Sequence, residues 1–445
     1  MGKYFGTDGV RGKANEVLTV DMAYRIGKYL GYYFSQKKKG KIVLGKDTRI
    51  SSSMFEHALA TGIVEAGCDA YLVGYTSTPS MSYIVKSEDF DCAVMISASH
   101  NPYYDNGIKI LSDVGMKMDE EILLKIEDFI DGKVTVNSAS SDHIGKVVDY
   151  SIGRTHYINH IISLFKDVDL SNYQCLLDLA NGSSSFTAKE IFDGLNIKYD
   201  VICDQPDGIN INNNCGSTHL DLVKKTIKKG KYDLGFAFDG DADRLIALLN
   251  DGTEITGDHI LYVGGRYLKD HHALKDNVVV TTVMSNIGLH KALDRSNIST
   301  VITPVGDKYV YESMNNNDYK IGGEQSGHII FKDYTVSGDG VLNALLLLKI
   351  MKESNMTMEE LVSDLAIFPQ LLVNLTVNDK GILNHELIEA KIAEVDTLLK
   401  DQGRVLVRTS GTEPLIRVMV EASSDELCKK YVYDIIDEIK RVEKL

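Results

Sequence analysis

Short apolar runs alternate with amphipathic segments along most of this 445-residue chain, and that alternation narrows its possible folds more than any other feature. KIVLG ends at Gly45 and a helical pattern over 54–66 follows; DAYLVG then ends at Gly74 and CAVMISAS at Ser99. CLLDLAN to Asn181, DLGFAFDG to Gly240 and NVVVTTV to Val283 repeat the theme. Strands alternating with helices predict parallel sheets covered on both faces. In such sheets, ligands gather at the carboxyl ends of strands. From 369 onward the pattern changes. QLLVNLTV, RVLVRTS and LIRVMVEA read as strands and 386–400 as a helix. Leu427, Tyr431, Ile435 and Ile439 form the apolar stripe of a final helix, giving a small α+β domain. Thr357 with Glu360 matches a capping box for a helix expected to end near Phe368-Pro369, a natural boundary. The length predicts three or four domains.

A net charge of −15 argues against duplex nucleic acid or an anionic membrane as a partner. A phosphate ligand would have to be met by local clusters of Arg and Lys. Cys68, Cys92, Cys175, Cys203, Cys215 and Cys428 form no CxxC pair and read as reduced core thiols rather than a disulfide frame or zinc site. The first residues, MGKYFGTDGVRG, contain no apolar leader, and the apolar run Ala344–Leu348 is too short to cross a bilayer. A cytoplasmic protein is expected.

Four motifs carry chemistry, each beside an apolar run. In ISASHNPYYDNGIK a strand enters a turn with Ser99, His100 and Asn101. A serine beside a histidine at a strand end can be a nucleophile, although local composition alone favours a plain turn. In FAFDGDADR, Asp239, Asp241 and Asp243 recur every second residue, a spacing that puts three carboxylates on one side of an extended chain. Such charges repel unless a cation holds them, and oxygen-only ligands favour Mg²⁺, Ca²⁺ or Mn²⁺. GGEQSGHIIF holds Glu324, Gln325, Ser326 and His328 between glycines, suited to reading hydroxyls and carrying a proton, or equally to a polar hairpin turn. RTSGTEPLIR offers Arg408, Ser410, Gly411, Thr412 and Arg417, a donor density that suits phosphate. Arg11 in FGTDGVRG, and Lys46 and Arg49 in GKDTRIS, read on their own as surface charges.

In order and spacing, these four motifs resemble the α-D-phosphohexomutases from Gly6 to Arg417. The resemblance implies an α/β chain of four domains around a central cleft, the first three with related mixed α/β sheet cores and the fourth a smaller α+β domain. Their bounds are expected at 1–152, 153–252, 253–368 and 369–445. It also implies roles. Ser99 carries a phosphoryl group. Asp239, Asp241 and Asp243, together with the serine phosphate, hold one Mg²⁺. Arg11, Lys109, Arg244 and His328 stabilise charge or carry protons, and His100 supports the loop. Glu324 and Ser326 read sugar hydroxyls, while Arg408, Ser410, Gly411, Thr412 and Arg417 hold the distal phosphate. A sugar 1,6-bisphosphate is the implied primer and intermediate.

FGTDGVRG, NINNNCGSTHL (210–220), TVMSNIGL (282–289) and Gln325 resemble the branch acting on glucosamine phosphates, which feeds UDP-N-acetylglucosamine and cell-wall precursors. A mannose- or glucose-phosphate mutase and a non-catalytic sugar-phosphate sensor are the alternatives. The implied partner is a hexosamine phosphate, and a homodimer is compatible with the resemblance. Two positions depart from the family: Ser77 stands where Pro is usual, and Lys308 stands where Arg is usual. The latter keeps the charge but loses the fork.

Overall fold

The computed structural model describes residues 2–6, 8–409 and 415–444. It forms two compact units. One comprises 1–284 with 300–362, the other 285–299 with 363–445.

The first unit contains three sheets. The first has six strands in the order Val10–Lys13, Asp105–Ser112, Cys92–Ile96, Lys41–Lys46, Asp69–Tyr75, Val147–Asp149. The second runs Glu254–Ile255, Leu245–Leu248, Leu234–Phe238, Gln174–Asp178, Lys198–Ile202. The third runs Ser299–Thr303, Val278–Thr282, Ile321–Gly323, Ile329–Phe331. All three are mixed, as the resemblance implies, with parallel pairs where strands alternate with helices and antiparallel pairs where they do not. In each, a parallel strand is followed by a short connection and an antiparallel partner: Cys92–Ile96 by Asp105–Ser112, Leu234–Phe238 by Leu245–Leu248, Ile321–Gly323 by Ile329–Phe331. Such short connections leave no room for a crossover, so the pairs can only be antiparallel. Each turn carries one of the motifs read from the sequence: Ser99, the three aspartates, and Glu324 to His328.

Helices Val20–Ser35 and Ser52–Glu65 cover the first sheet and touch backbone to backbone. A Cβ added at Gly27 would lie 2.2 Å from the Leu59 carbonyl oxygen, and one at Gly62 would lie 2.3 Å from that of Tyr24. Helix Gly340–Ser354 is apolar on nearly every side because it is buried on nearly every side. Asp339 caps it, accepting from the Leu342 N–H at 3.0 Å. No described helix is long and apolar enough to cross a membrane.

In the second unit, Gln370–Thr376, Leu415–Ala422 and Gly403–Thr409 form an antiparallel sheet in the order given. Helix Asp425–Glu443 buries Tyr431, Ile435 and Ile439 as its pattern predicts, with Leu427 only partly covered. The capping box at Thr357 forms, with Glu360 N–H donating to Thr357 Oγ1 at 3.3 Å and Thr357 N–H to Glu360 Oε2 at 2.8 Å. The helix, however, stops at Val362 instead of running to Phe368. Tertiary bonds claim the backbone beyond it: Phe368 N–H donates to Asn286 Oδ1 and its carbonyl accepts from Asn286 Nδ2, both at 3.0 Å, while Arg295 holds the Asp364 carbonyl at 2.7 Å.

Glu127, buried on helix Glu120–Ile130, accepts the backbone N–H groups of Lys3, Tyr4 and Phe5 at 2.8, 2.7 and 2.8 Å. It thereby fixes the segment that leads into Asp8 and Arg11. Losing a buried partner costs about 1–3 kcal/mol. Glu127→Ala is therefore expected to lower stability by about 2 kcal/mol and to remove hydrogen-exchange protection at Tyr4 and Phe5. Unchanged protection there would show that the segment is held by something else.

Candidate active site

Ser99 sits in a left-handed backbone conformation (φ 53°) and is buried. A non-glycine residue there costs about 1–3 kcal/mol and needs support from its surroundings. That support is a dense set of bonds. The Ser99 N–H donates to Ser97 Oγ at 2.9 Å. Its carbonyl accepts from Arg49 Nη2 at 2.8 Å and Asn212 Nδ2 at 2.9 Å. Arg49 also holds the Asp105 and Pro102 carbonyls, and Asp47 accepts from its Nε at 2.8 Å. Arg49 and Lys46 are thus not surface charges. Arg49 is a buried strut of the serine turn, and Lys46 is buried against Glu56.

The Ser99 hydroxyl donates to Asp239 Oδ2 at 2.5 Å, with His100 Nδ1 3.4 Å away. Burial, with the positive Arg244 and Arg11 nearby, pushes His100 down to about 4 and leaves it neutral at neutral pH.

Asp239, Asp241 and Asp243 are buried, with ligand oxygens within 4.8 Å of one another. They converge around a turn rather than along an extended strand: Ala242 is left-handed (φ 59°) and its N–H donates to the Asp239 carbonyl at 3.1 Å. Lys109 Nζ lies 2.7 Å from Asp241, 3.4 Å from Asp243 and 3.1 Å from Asp8. Thr78 Oγ1 donates to Asp241. Oδ1 of Asp241 and Oδ1 of Asp243 are buried with no hydrogen-bond donor. An oxygen-only cluster with two orphaned carboxylate oxygens fits a hard divalent cation. Burial and the charges of Asp243 and Asp241 drive Asp239 well above the usual carboxylate range. Burial pushes Asp243 the same way, but Lys109 and His328 outweigh it and hold Asp243 well below that range.

His328 Nδ1 lies 3.7 Å from Asp243, and the Gly338 N–H donates to its Nε2 at 3.1 Å, which puts the ring proton on Nδ1. Burial opposes a second proton, yet Asp243, Asp307 and Glu324 outweigh it and raise the ring to about 9. Gaining that proton would give up the Gly338 bond. Arg11 pairs with Asp8, and the Arg244 N–H donates to Asp239 Oδ1 at 3.2 Å. Glu324 accepts the Gly306 N–H at 2.9 Å, and Ser326 is exposed on the same turn. At Gly327 (φ 94°) that turn lies against Leu245, where a Cβ would come within 2.1 Å of its carbonyl.

A cavity of about 400 Å³ opens beside these groups, lined by Asp8, Lys109, Lys117, Asp243, Asp307 and His328. Lys308 also lines it and lies 3.7 Å from Glu120. Ser77 caps helix Thr78–Ser87, accepting the Ser80 N–H at 3.3 Å, so the serine at this usual proline position still fixes the turn.

In the second unit, Arg408 and Arg417 face each other across paired strands, and burial with the Arg417 charge lowers Arg408. Two like charges directly opposed are relieved by an anion. Ser410, Gly411 and Thr412 lie outside the described residues. Asp8, Arg49, Thr78, Lys117, Asn212 and Asp307 were not singled out as site residues by sequence reading. Of these, Arg49 carried the clearest signal, being a charge just past an apolar strand.

The chain matches the phosphoglucomutase/phosphomannomutase alpha/beta/alpha domains I, II and III over residues 2–136, 155–252 and 256–367, and that family's C-terminal domain over 372–438. It belongs to the phosphoglucomutase/phosphomannomutase family. Curated relatives are phosphoglucosamine mutases. Those of Lachnospira eligens and Lachnoclostridium phytofermentans are each 50% identical, over 99% and 98% of both chains, and that of Streptococcus agalactiae is 45% identical over 99% of both. The fold of this phosphoglucomutase/phosphomannomutase chain also matches a family protein from Burkholderia thailandensis (TM-score 0.83, 23% identity, 100% and 98% of the two chains). An Aspergillus fumigatus N-acetylphosphoglucosamine mutase, solved in complex with GlcNAc-6P and magnesium, matches with TM-score 0.66 at 17% identity over 91% and 83%.

The metal reading gives a direct expectation. Asp241→Asn should weaken Mn²⁺ binding by at least about tenfold, a loss of about 1.4 kcal/mol, in a calorimetric titration. Equal affinity in the variant would remove Asp241 from the site.

Proposed function

We propose that this chain is a phosphoglucosamine mutase, interconverting glucosamine 6-phosphate and glucosamine 1-phosphate through phosphoserine 99 and a sugar bisphosphate. The observation that carries the reading is the Ser99 hydroxyl, held in a strained turn 2.5 Å from Asp239 and beside the aspartate cluster. The 50% identity to phosphoglucosamine mutases over nearly the whole chain supports the substrate. The product feeds UDP-N-acetylglucosamine and cell-wall precursor synthesis, the setting is cytoplasmic, and the four domains divide at 1–152, 153–252, 253–368 and 369–445.

Phosphoserine 99 gives its phosphoryl group to O1 of glucosamine 6-phosphate: the O1–P bond forms as the Ser99 Oγ–P bond breaks, and the proton lost by O1 is balanced by the one the freed Ser99 oxygen gains. The bisphosphate turns over, its 6-phosphate returns to Ser99, and glucosamine 1-phosphate leaves. Phosphoryl transfer needs positioning and neutralisation of the transferring oxygens more than covalent help. Lys109 supplies a buried positive charge at the aspartate cluster, and Arg11 and Arg244 add to it. A Mg²⁺ held by Asp239, Asp241 and Asp243 would neutralise the serine phosphate further. His328, raised to about 9 beside Asp243, carries a proton and a positive charge at the edge of the cluster. Glu324 and Ser326 present a carboxylate and a hydroxyl to sugar hydroxyls, while Arg408 and Arg417, with Ser410, Gly411 and Thr412, grip the phosphate that is not reacting.

Ser99→Ala should lose conversion by at least about 10³-fold, roughly 4 kcal/mol of barrier, while keeping its fold. Phosphorus NMR of the 1-phosphate, with bisphosphate primer and Mg²⁺, reads this. The wild-type chain should convert glucosamine 6-phosphate faster than mannose or glucose 6-phosphate. Faster conversion of either neutral sugar would move the substrate, and a fully active Ser99→Ala would end the mechanism.

A further inference from the structure

The fold gathers three side chains that the sequence keeps far apart. Asp178 ends the strand Gln174–Asp178, Cys203 follows the parallel neighbour Lys198–Ile202, and Cys215 closes the loop that continues from it. Their ligand atoms lie within 4.8 Å of one another. Asp178 and Cys215 are fully buried, and Cys203 is half-buried, giving access from one side. The carboxylate is aimed by the backbone, accepting from the Ala180 N–H at 3.0 Å and the Gly216 N–H at 2.9 Å. Asn181 Nδ2 sits 3.9 Å from Cys215 Sγ. None of the three has a part in the phosphoryl transfer.

We propose that Asp178, Cys203 and Cys215 form a site for one soft divalent cation of the zinc class. Two thiolates and a carboxylate are a three-ligand set for such an ion, with the fourth tetrahedral position open to water beside Cys203. Ligand bonds of about 2.3 Å to sulfur and about 2.1 Å to oxygen require donors about 3.5–3.8 Å apart, which atoms already within 4.8 Å reach by side-chain rotation. Two metal–sulfur bonds and one metal–oxygen bond form, and the two thiol protons leave to solvent. No oxidant takes part. The hard cation favoured by the oxygen-only cluster of Asp239, Asp241 and Asp243 does not compete for the thiolates.

The site is stitched to the serine turn. Asn212, three residues before Cys215, donates its N–H to the Ala180 carbonyl at 2.9 Å and its side chain to the carbonyls of Ser99 (2.9 Å) and Asn101 (3.1 Å). The Asn181 carbonyl accepts Thr48 Oγ1 at 2.6 Å. A cation drawing Cys203 and Cys215 toward Asp178 pulls on these contacts, and loading is expected to slow the mutase, an effect that rests on the function proposed above.

The test is an anaerobic titration of the reduced full-length chain with CdCl₂ in excess Mg²⁺, followed by ultraviolet cadmium–thiolate absorption. The band should saturate at one cadmium per chain, with two protons released. It should be lost in Cys203→Ser, checked for folding by circular dichroism, with Cys203→Ala in reserve, and persist in Asp241→Asn. No band in the wild-type chain, or a band of equal intensity in the Cys203 variants, would overturn the site. A saturated site with an unchanged conversion rate would overturn only its link to the serine turn.

Discussion

Asp239, Asp241 and Asp243 are buried with their ligand oxygens within 4.8 Å of one another. At an effective dielectric of about 20, two such charges about 4 Å apart repel by about 4 kcal/mol. Much of the surrounding structure answers that repulsion. Lys109 is buried among acids because its Nζ faces Asp241, Asp243 and Asp8, and those charges overcome its own burial to keep it protonated. Thr78 and the Ser99 hydroxyl donate into the same cluster. What these donors leave unmet, the Oδ1 atoms of Asp241 and Asp243, is what a divalent cation would meet.

The turns that bear this chemistry owe their geometry to one architectural choice made three times. A parallel strand ends, the chain reverses within a few residues, and an antiparallel strand leads it back. A tight reversal forces residues such as Ser99 and Ala242 into left-handed conformations. Those conformations persist because buried groups from elsewhere hold the backbone. Arg49 and Asn212 do so for Ser99, and Leu245 does so for the turn at Gly327. The strain thus lies where the reacting oxygen must be presented, and its support lies in neighbouring strands and loops.

Groups whose chemistry is local were legible in the sequence. Ser99, the three aspartates and Glu324 to His328 each form a compact run beside an apolar strand, and the structure brings all of them to turns of one unit. Groups whose work is done at long range were not. Arg49 reaches Ser99 across 50 positions, Asn212 across 113, and Glu127 reaches the N-terminal amides across more than 120. Nothing in the local composition of RIS, NINN or KIED marks them as struts. The early stop of the helix at Val362 has the same origin, since Asn286 and Arg295 claim the following backbone. The meeting of Cys203 and Cys215 is likewise a product of sheet register, invisible to any count of cysteine spacing.

The central claim is that Ser99 shuttles a phosphoryl group under the charge of the aspartate cluster and Lys109. It is tested most directly by loading the protein with bisphosphate labelled in its phosphoryl groups, removing free sugar, and mapping the label by peptide mass. Unlabelled glucosamine 6-phosphate and Mg²⁺ are then added for a single turnover. Label that leaves the Ser99 peptide for the sugar 1-phosphate, with Ser99 ending the turnover carrying unlabelled phosphate from the 6-position, is the result expected. Label on another residue, or label on Ser99 that appears only as free phosphate, would contradict the account.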